Sequence, residues 1–365
     1  MTAKLAITIF FISASLCLFL IIIAKRSRAL LDELNGVQKV HHESVPRVGG
    51  IGIFVSFVIS MVFLYFKFRE PGYIYLLISV IPIVFTGFYE DIKKRLGPVF
   101  RLNISFLSSL IAILLLGALI ERTGISVLDY LVRYKIIGIV FSCIAIGGVT
   151  NAINIIDGMN GLSSGTGIIL LGAIGYVAFK YQDFYILSVV VLAAAAILGF
   201  FFWNYPYGRI FLGDGGAYFI GFVLAVSSIL LVNRNNQVSP WFPILILIYP
   251  AFETLFTIYR RKYLKKRSPV YPDNLHLHSL FYRRVVPVIF NNGHNVVSHN
   301  AMTSPLIWGL SVISVVPAVI FVSNTFALIL FTILFVLLYI FLYKSIVCFK
   351  IGHLIKRTVN EKSAS

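Results

Sequence analysis

The chain has 365 residues, of which 59% are hydrophobic and 12% charged, with a mean hydropathy of +0.91. Soluble domains carry roughly 25% charged residues, so this balance excludes one and predicts an all-α polytopic membrane protein. The formal net charge of +17 lies in short loops between apolar runs, and no polar domain is left to hold a duplex or a strand. Nucleic acid is therefore excluded, and anionic lipid and phosphate-bearing substrates are the expected partners.

Apolar runs of about 17 residues or more are long enough to cross a bilayer. They fall near 5–24, 49–66, 73–89, 104–120, 136–152, 163–180, 184–203, 215–232, 241–259, 304–323 and 325–343, which predicts eleven helices. The first is followed by Lys25, Arg26 and Arg28 without a small-residue cleavage site, and reads as a retained span. Of the 31 Lys and Arg residues, 23 fall on the side of the C-terminus and 8 on the other. By the positive-inside tendency the C-terminus is cytoplasmic and the N-terminus outside. Glu90, Asp91, Asp157, Asp214 and Asp273 share the cytoplasmic side, while Glu253 alone lies inside a span. Cys17, Cys143 and Cys348 give neither a disulfide framework nor a metal-ligand spacing.

The polar motifs follow in chain order. "HHESVPRVGGIGIF", from His41, leads the second span with Pro46, Arg47, Gly49 and Gly50, and reads equally well as a plain helix entry. "GFYEDIKKRLGP", from Gly87, sets Glu90 and Asp91 side by side at a helix C-terminus. There they repel each other and face the negative end of the dipole, an arrangement that handles a cation or a proton. Lys93 to Arg95 beside them fit an ordinary cytoplasmic flank. "NAINIIDGMNGLSSG" joins two spans with Asn151, Asn154, Asp157 and Asn160 and no base. If the helix runs past Asn151, then Asn151 and Asn154 share a face with Asp157 one step on, oxygen-rich enough for Mg²⁺ or for the edge of a base.

Asn204 closes the span before "RIFLGDGG", in which Asp214 stands among Gly213, Gly215 and Gly216. A helix N-cap is the plain reading. Glycine on both sides also lets a phosphate or hydrated ion come close to the backbone. "PDNLHLHSLFYRR" places His276 and His278 before Arg283 and Arg284; with no Cys or third His at ligand spacing, oxyanion binding fits better than zinc.

The acid pair with Lys94 at the fifth place, NAxNxxDGxxGL, FxGDxG and HxH occur in that order on one side of the chain. Over roughly residues 40 to 285 this resembles the polyprenyl-phosphate N-acetylhexosamine-1-phosphate transferase family, glycosyltransferase family 4. The whole chain then reads as a single integral membrane transferase domain. Two further spans at 304–343 and a basic cytoplasmic tail at 344–365 follow the resembling part.

The resemblance implies transfer of a sugar-1-phosphate, N-acetylhexosamine-1-phosphate, from a UDP-sugar to undecaprenyl phosphate, with release of UMP. Its setting is the cytoplasmic face of a bacterial inner membrane, and a homodimer is among the implied partners. It implies Mg²⁺, with Mn²⁺ as substitute, on Asp214 and Asn154; Glu90, Asp91 and Lys94 as catalytic residues, the two acids at the acceptor end and Lys94 on phosphate; Asp157, Asn160 and Asn151 on the nucleotide; and His276, His278 and Arg283 on phosphates. A lipid phosphate is already mostly dianionic at pH 7, so direct in-line attack is expected rather than an aspartyl-phosphate intermediate. The chain departs from the family pattern at Glu90, usually Asp, at Asn160, often Asp, and at Ser279, usually His. Two other readings stay open: a transporter of a phosphorylated metabolite or lipid-linked sugar, for which Glu253 is the ionised candidate inside a span, and a family member without catalysis.

Overall fold

The apolar runs fold as helices that begin and end at breakers in the sequence. The computed structural model describes residues 2–27, 45–264, 275–289 and 296–348. In order they form α1 (Thr2–Ser27), α2 (Gly49–Phe68), α3 (Gly72–Lys93), α4 (Pro98–Leu116), α5 (Ser126–Val132), α6 (Lys135–Ile155), α7 (Leu162–Lys180), α8 (Phe184–Asn204), α9 (Gly213–Arg234), α10 (Trp241–Ile246), α11 (Ile248–Tyr259), α12 (Leu277–Leu280), α13 (Val286–Ile289), α14 (Val296–Ile320) and α15 (Thr325–Val347). Asp273, His41 and His42 and the tail beyond Cys348 lie outside the described residues.

Among the described residues, ten helices are long and apolar enough to cross a membrane. The predicted span at 241–259 differs: it is divided at Leu247 into α10 and α11. Pro250 explains the break, because it has no N–H to return to the carbonyl of Ile246. The fourth span also shifts. Gly97 is extended, Pro98 takes the first helical position, and Gly117 closes the helix in the left-handed region at φ +68°. α4 therefore starts six residues earlier than the hydropathy suggests and carries Arg101 in its first turn.

α9 sits at the centre, with Gly213 through Val232 buried without exception. A helix that is apolar all round packs against protein on every side. Where lipid is as apolar as leucine, close backbone approach at small residues drives such packing. A Cβ on Gly221 of α9 would stand 2.7 Å from Cα of Thr150 in α6, and one on Gly199 of α8 would stand 2.5 Å from the Phe10 carbonyl of α1. Ser13 of α1 reinforces the second contact by donating to the Ala196 carbonyl at 2.6 Å.

Candidate functional site

α2, α3 and α9 meet at glycines, and this crossing builds the first half of the site. A Cβ on Gly50 of α2 would lie 2.4 Å from the Gly216 nitrogen, and one on Gly87 of α3 would lie 2.4 Å from the Gly215 Cα. The chain leading into α2 is laced to the chain leading into α9 by three backbone bonds: Phe211 N–H to Pro46, Gly49 N–H to Phe211 and Gly50 N–H to Leu212, at 2.8 to 2.9 Å.

This closeness brings the Asp91 carboxylate onto the N-terminus of α9. It accepts the backbone N–H groups of Asp214 at 2.8 Å and Gly215 at 3.1 Å. The capping group of α9 is thus Asp91 from another helix, not Asp214, and its charge faces the positive end of the helix dipole. Two glycine expectations are corrected at the same place. The space beside Gly213 is taken by the Asp91 carboxylate, and that beside Gly215 by the Phe88 ring. These glycines admit protein, because the helices could not otherwise approach; the room expected for a phosphate or ion is filled.

Asp214 lies in the first turn of α9 with both oxygens engaged. Arg47 donates from Nη2 to Oδ1 at 2.6 Å, and Arg101 from Nη1 to Oδ2 at 2.6 Å. Arg47 also approaches Asp91 Oδ1 from Nε at 3.2 Å. Two buried acids side by side are neutralised here by two guanidinium groups, the fork-shaped donors that also suit phosphate oxygens. Arg101 was invisible as a site residue in the sequence, since its one signal is a charge in an otherwise apolar helix. Glu90 stands apart, with Oε2 accepting the Leu96 N–H at 2.8 Å and so closing the loop after α3. Lys94 is exposed in that loop in the left-handed conformation, φ +49°.

The loop between α6 and α7 forms the second half. Asp157 is set there, and burial pushes its carboxyl from 3.8 up to about 6. Asn154 closes α6, half-buried. Asn151 is engaged elsewhere, its Nδ2 donating to the Gly147 carbonyl at 2.8 Å and to Ser105 Oγ at 3.3 Å, which ties α6 to α4. Asn160, buried, knits loops together. Its backbone N–H reaches Asn300 Oδ1 at 2.7 Å, its carbonyl accepts from Ser304 at 2.6 Å, and Nδ2 donates to the Pro206 carbonyl at 3.0 Å. Asn204 works alongside, accepting the Gly161 N–H at 2.6 Å and donating to the Ile210 carbonyl at 2.7 Å.

The histidine motif closes over this loop. His278 is buried, and a Cβ on Gly158 would be 2.7 Å from its Nε2. Burial pulls its imidazole down to about 4, so it is neutral at pH 7. His276 lies parallel to it, ring centroids 5.4 Å apart. Arg283 is exposed, one turn further on in Phe281–Val285.

No group of three or more His, Cys, Asp or Glu side chains that could hold a metal occurs among the described residues. Mg²⁺ in phosphate sites asks for less: one or two carboxylates, with substrate phosphates and water completing the sphere. Asp214 and Asn154 fit that all-oxygen donor set, on the condition that an arginine yields an Asp214 oxygen.

The glycosyl transferase family 4 model matches residues 73–232. The chain belongs to that family. Over 282 residues it is 32% identical to a Bacillus subtilis (strain 168) protein named "Probable undecaprenyl-phosphate N-acetylglucosaminyl 1-phosphate transferase", covering 74% of this chain and 77% of the relative. It is 28% identical over 280 residues to the undecaprenyl-phosphate alpha-N-acetylglucosaminyl 1-phosphate transferase of Thermotoga maritima, covering 77% and 80%. A phospho-N-acetylmuramoyl-pentapeptide-transferase of Streptococcus pneumoniae is 28% identical over 231 residues, covering 60% and 68%.

Proposed function

We propose that this protein transfers a sugar-1-phosphate from a UDP-sugar to undecaprenyl phosphate and releases UMP, at the cytoplasmic face of a bacterial inner membrane. The observation that carries the reading is the Asp91–Asp214–Arg47–Arg101 cluster at the N-terminus of α9. The names of the relatives support it. An oxygen of the lipid phosphate attacks the sugar-bearing phosphorus, the P–O bond to the UMP phosphate breaks, and UMP leaves with the electron pair. No proton need be removed from a dianionic acceptor, which favours direct displacement, with Glu90 and Asp91 orienting groups.

Arg47 and Arg101 are the groups able to pass from Asp214 to the donor diphosphate when it arrives. Asp157 is the acceptor suited to the uracil edge, whereas Asn160 serves by holding the loop and Asn151 by tying α6 to α4. Lys94, His276, His278 and Arg283 lie on the phosphate side of the assignment. Mg²⁺, with Mn²⁺ as substitute, would be held by Asp214 and Asn154 and would neutralise charge on the diphosphate. The transporter reading loses its support, because Glu253 is enclosed by Tyr339, His276 and the Leu277 N–H.

The chain carries no obvious module for a peptide-bearing sugar, so UDP-N-acetylglucosamine or a related UDP-N-acetylhexosamine ranks above the muramoyl-pentapeptide donor. UMP release by purified protein with undecaprenyl phosphate, Mg²⁺ and a panel of UDP-sugars tests the reading. Turnover of the pentapeptide donor alone overturns the ranking, and silence from every donor overturns the activity. Sidedness is tested in a variant lacking Cys17, Cys143 and Cys348. A cysteine replacing exposed Gln237 should react with an impermeant thiol reagent in intact cells, and one replacing exposed Arg95 should not.

A further inference from the structure

Glu253 is fully buried in α11, and the chemistry proposed above leaves it unused. A carboxylate persists in an apolar interior only where donors surround it. Here Tyr339 of α15 donates its hydroxyl at 2.7 Å, the Leu277 N–H reaches it at 3.1 Å, and His276 Nδ1 lies at 3.0 Å. Thr257 Oγ1, one turn along α11, is 3.3 Å from the same imidazole nitrogen. The rings of Phe252 and Phe256 pack edge-on against Tyr339, with centroids 5.0 and 5.5 Å away.

A second tie runs parallel to the first. Arg260 Nη1 donates to the Leu275 carbonyl at 3.0 Å and to the Tyr343 hydroxyl at 2.7 Å. The histidine motif is therefore fastened on its inner side by α11 and α15. On its outer side the two imidazoles lie parallel within 4°, and His278 is seated on Gly158, next to Asp157. A hydrogen bond at one imidazole nitrogen sets the ring's orientation and decides what its other nitrogen offers. With Nδ1 of His276 turned to Glu253, Nε2 is the nitrogen left to face a ligand.

We propose that Glu253 is a positioning residue: its carboxylate, steadied by Tyr339, orients His276 and so holds the stacked His276–His278 pair against the Asp157–Gly158 loop, with His276 Nε2 presented to a phosphate of the nucleotide donor. The inference deepens the transferase reading and rests on it for the ligand's identity. It also explains why an acid occurs inside an apolar helix, and gives the last span a part in the site.

The experiment uses the full chain in detergent or nanodiscs, with two variants and two readouts. Glu253→Gln keeps the shape and removes the charge; Tyr339→Phe keeps the charge and the ring but removes one donor. Carbethoxylation of His276 by diethyl pyrocarbonate, read by mass spectrometry, should rise roughly tenfold in Glu253→Gln, the size of one lost charge-assisted hydrogen bond, and a few-fold in Tyr339→Phe. In turnover, Glu253→Gln should raise the donor KM by roughly tenfold with a smaller effect on kcat. The double variant Glu253→Gln/His276→Ala should be no worse than His276→Ala alone, because both changes remove one interaction.

Additive losses in that cycle, or unaltered His276 reactivity in both variants, overturn the positioning role. A wild-type protein that turns over no UDP-sugar refutes the donor reading instead, while His276 reactivity still decides the role of Glu253.

Discussion

Replacing Gly50 by alanine tests whether the site depends on how closely α2 and α9 approach. The added Cβ would stand 2.4 Å from the Gly216 nitrogen and 2.6 Å from its Cα, where ordinary contact begins at 3.4 Å. Both obstacles are backbone, so no side chain can turn aside, and α2 has to retreat by about 1 Å. Arg47 sits three residues before Gly50 on the same laced segment. A shift of that size stretches its 2.6 Å bond to Asp214 to about 3.6 Å, beyond hydrogen-bonding distance. Overpacking costs about 1–3 kcal/mol of stability, and misplacing a positioning group by about 1 Å can lower turnover on the order of 100-fold. The assay is UMP release from UDP-N-acetylglucosamine by purified protein, with thermal unfolding measured in parallel. Gly148→Ala is the control, since a Cβ there meets nothing within 4 Å; it should leave turnover near wild type. Gly50→Ala with turnover within a few-fold of wild type would refute the claim that close packing of α2 on α9 sets the arginine pair.

The other predictions concern the acids. Asp214→Asn should abolish turnover while the protein still inserts, because the charge facing Arg47 and Arg101 is gone; near-normal Mg²⁺-dependent activity in the variant would sink its assignment. Asp91→Asn should lose most activity and lower the unfolding temperature, since an amide cannot accept two N–H groups and face a guanidinium equally well. Glu90→Asp should keep substantial activity, because Glu90 closes a loop rather than capping α9; the reverse order of losses overturns this division. For Asp157, burial raises the folded-state pKa from 3.8 to about 6. Its ionised form, the acceptor for the donor, is therefore lost as pH falls through about 6, and the donor KM should rise there at saturating acceptor. The stability this group contributes runs the other way, present below pH 3.8 and lost as pH rises through about 6. Asp157→Asn should flatten the KM limb; a limb unchanged in that variant assigns it to another group.

Much of the fold could be read from the sequence because its signals are local. Apolar length marks ten of the eleven expected helices, and Gly97, Pro98 and Gly117 mark the true ends of α4. Even the failure at 241–259 has a local cause in Pro250, which a hydropathy window does not register. The types of residue in the site were equally plain, since a motif of acids, amides or histidines stands out in so apolar a chain. What each one touches was not. Arg47 and Asp214 are 167 residues apart, and Arg101 and Asp214 113. No spacing rule spans such separations.

The tertiary structure alone decided that Asp91 caps α9, that Arg47 from the segment before α2 and Arg101 of α4 hold Asp214, and that Asn160 serves the loops. It also gave Glu253 its partners on α15 and in the histidine motif. The physical reason is that composition determines which groups must find a partner once water is excluded, while the identity of the partner follows from which helix backbones can approach closely. In this chain that is set by glycines meeting glycines across α2, α3 and α9.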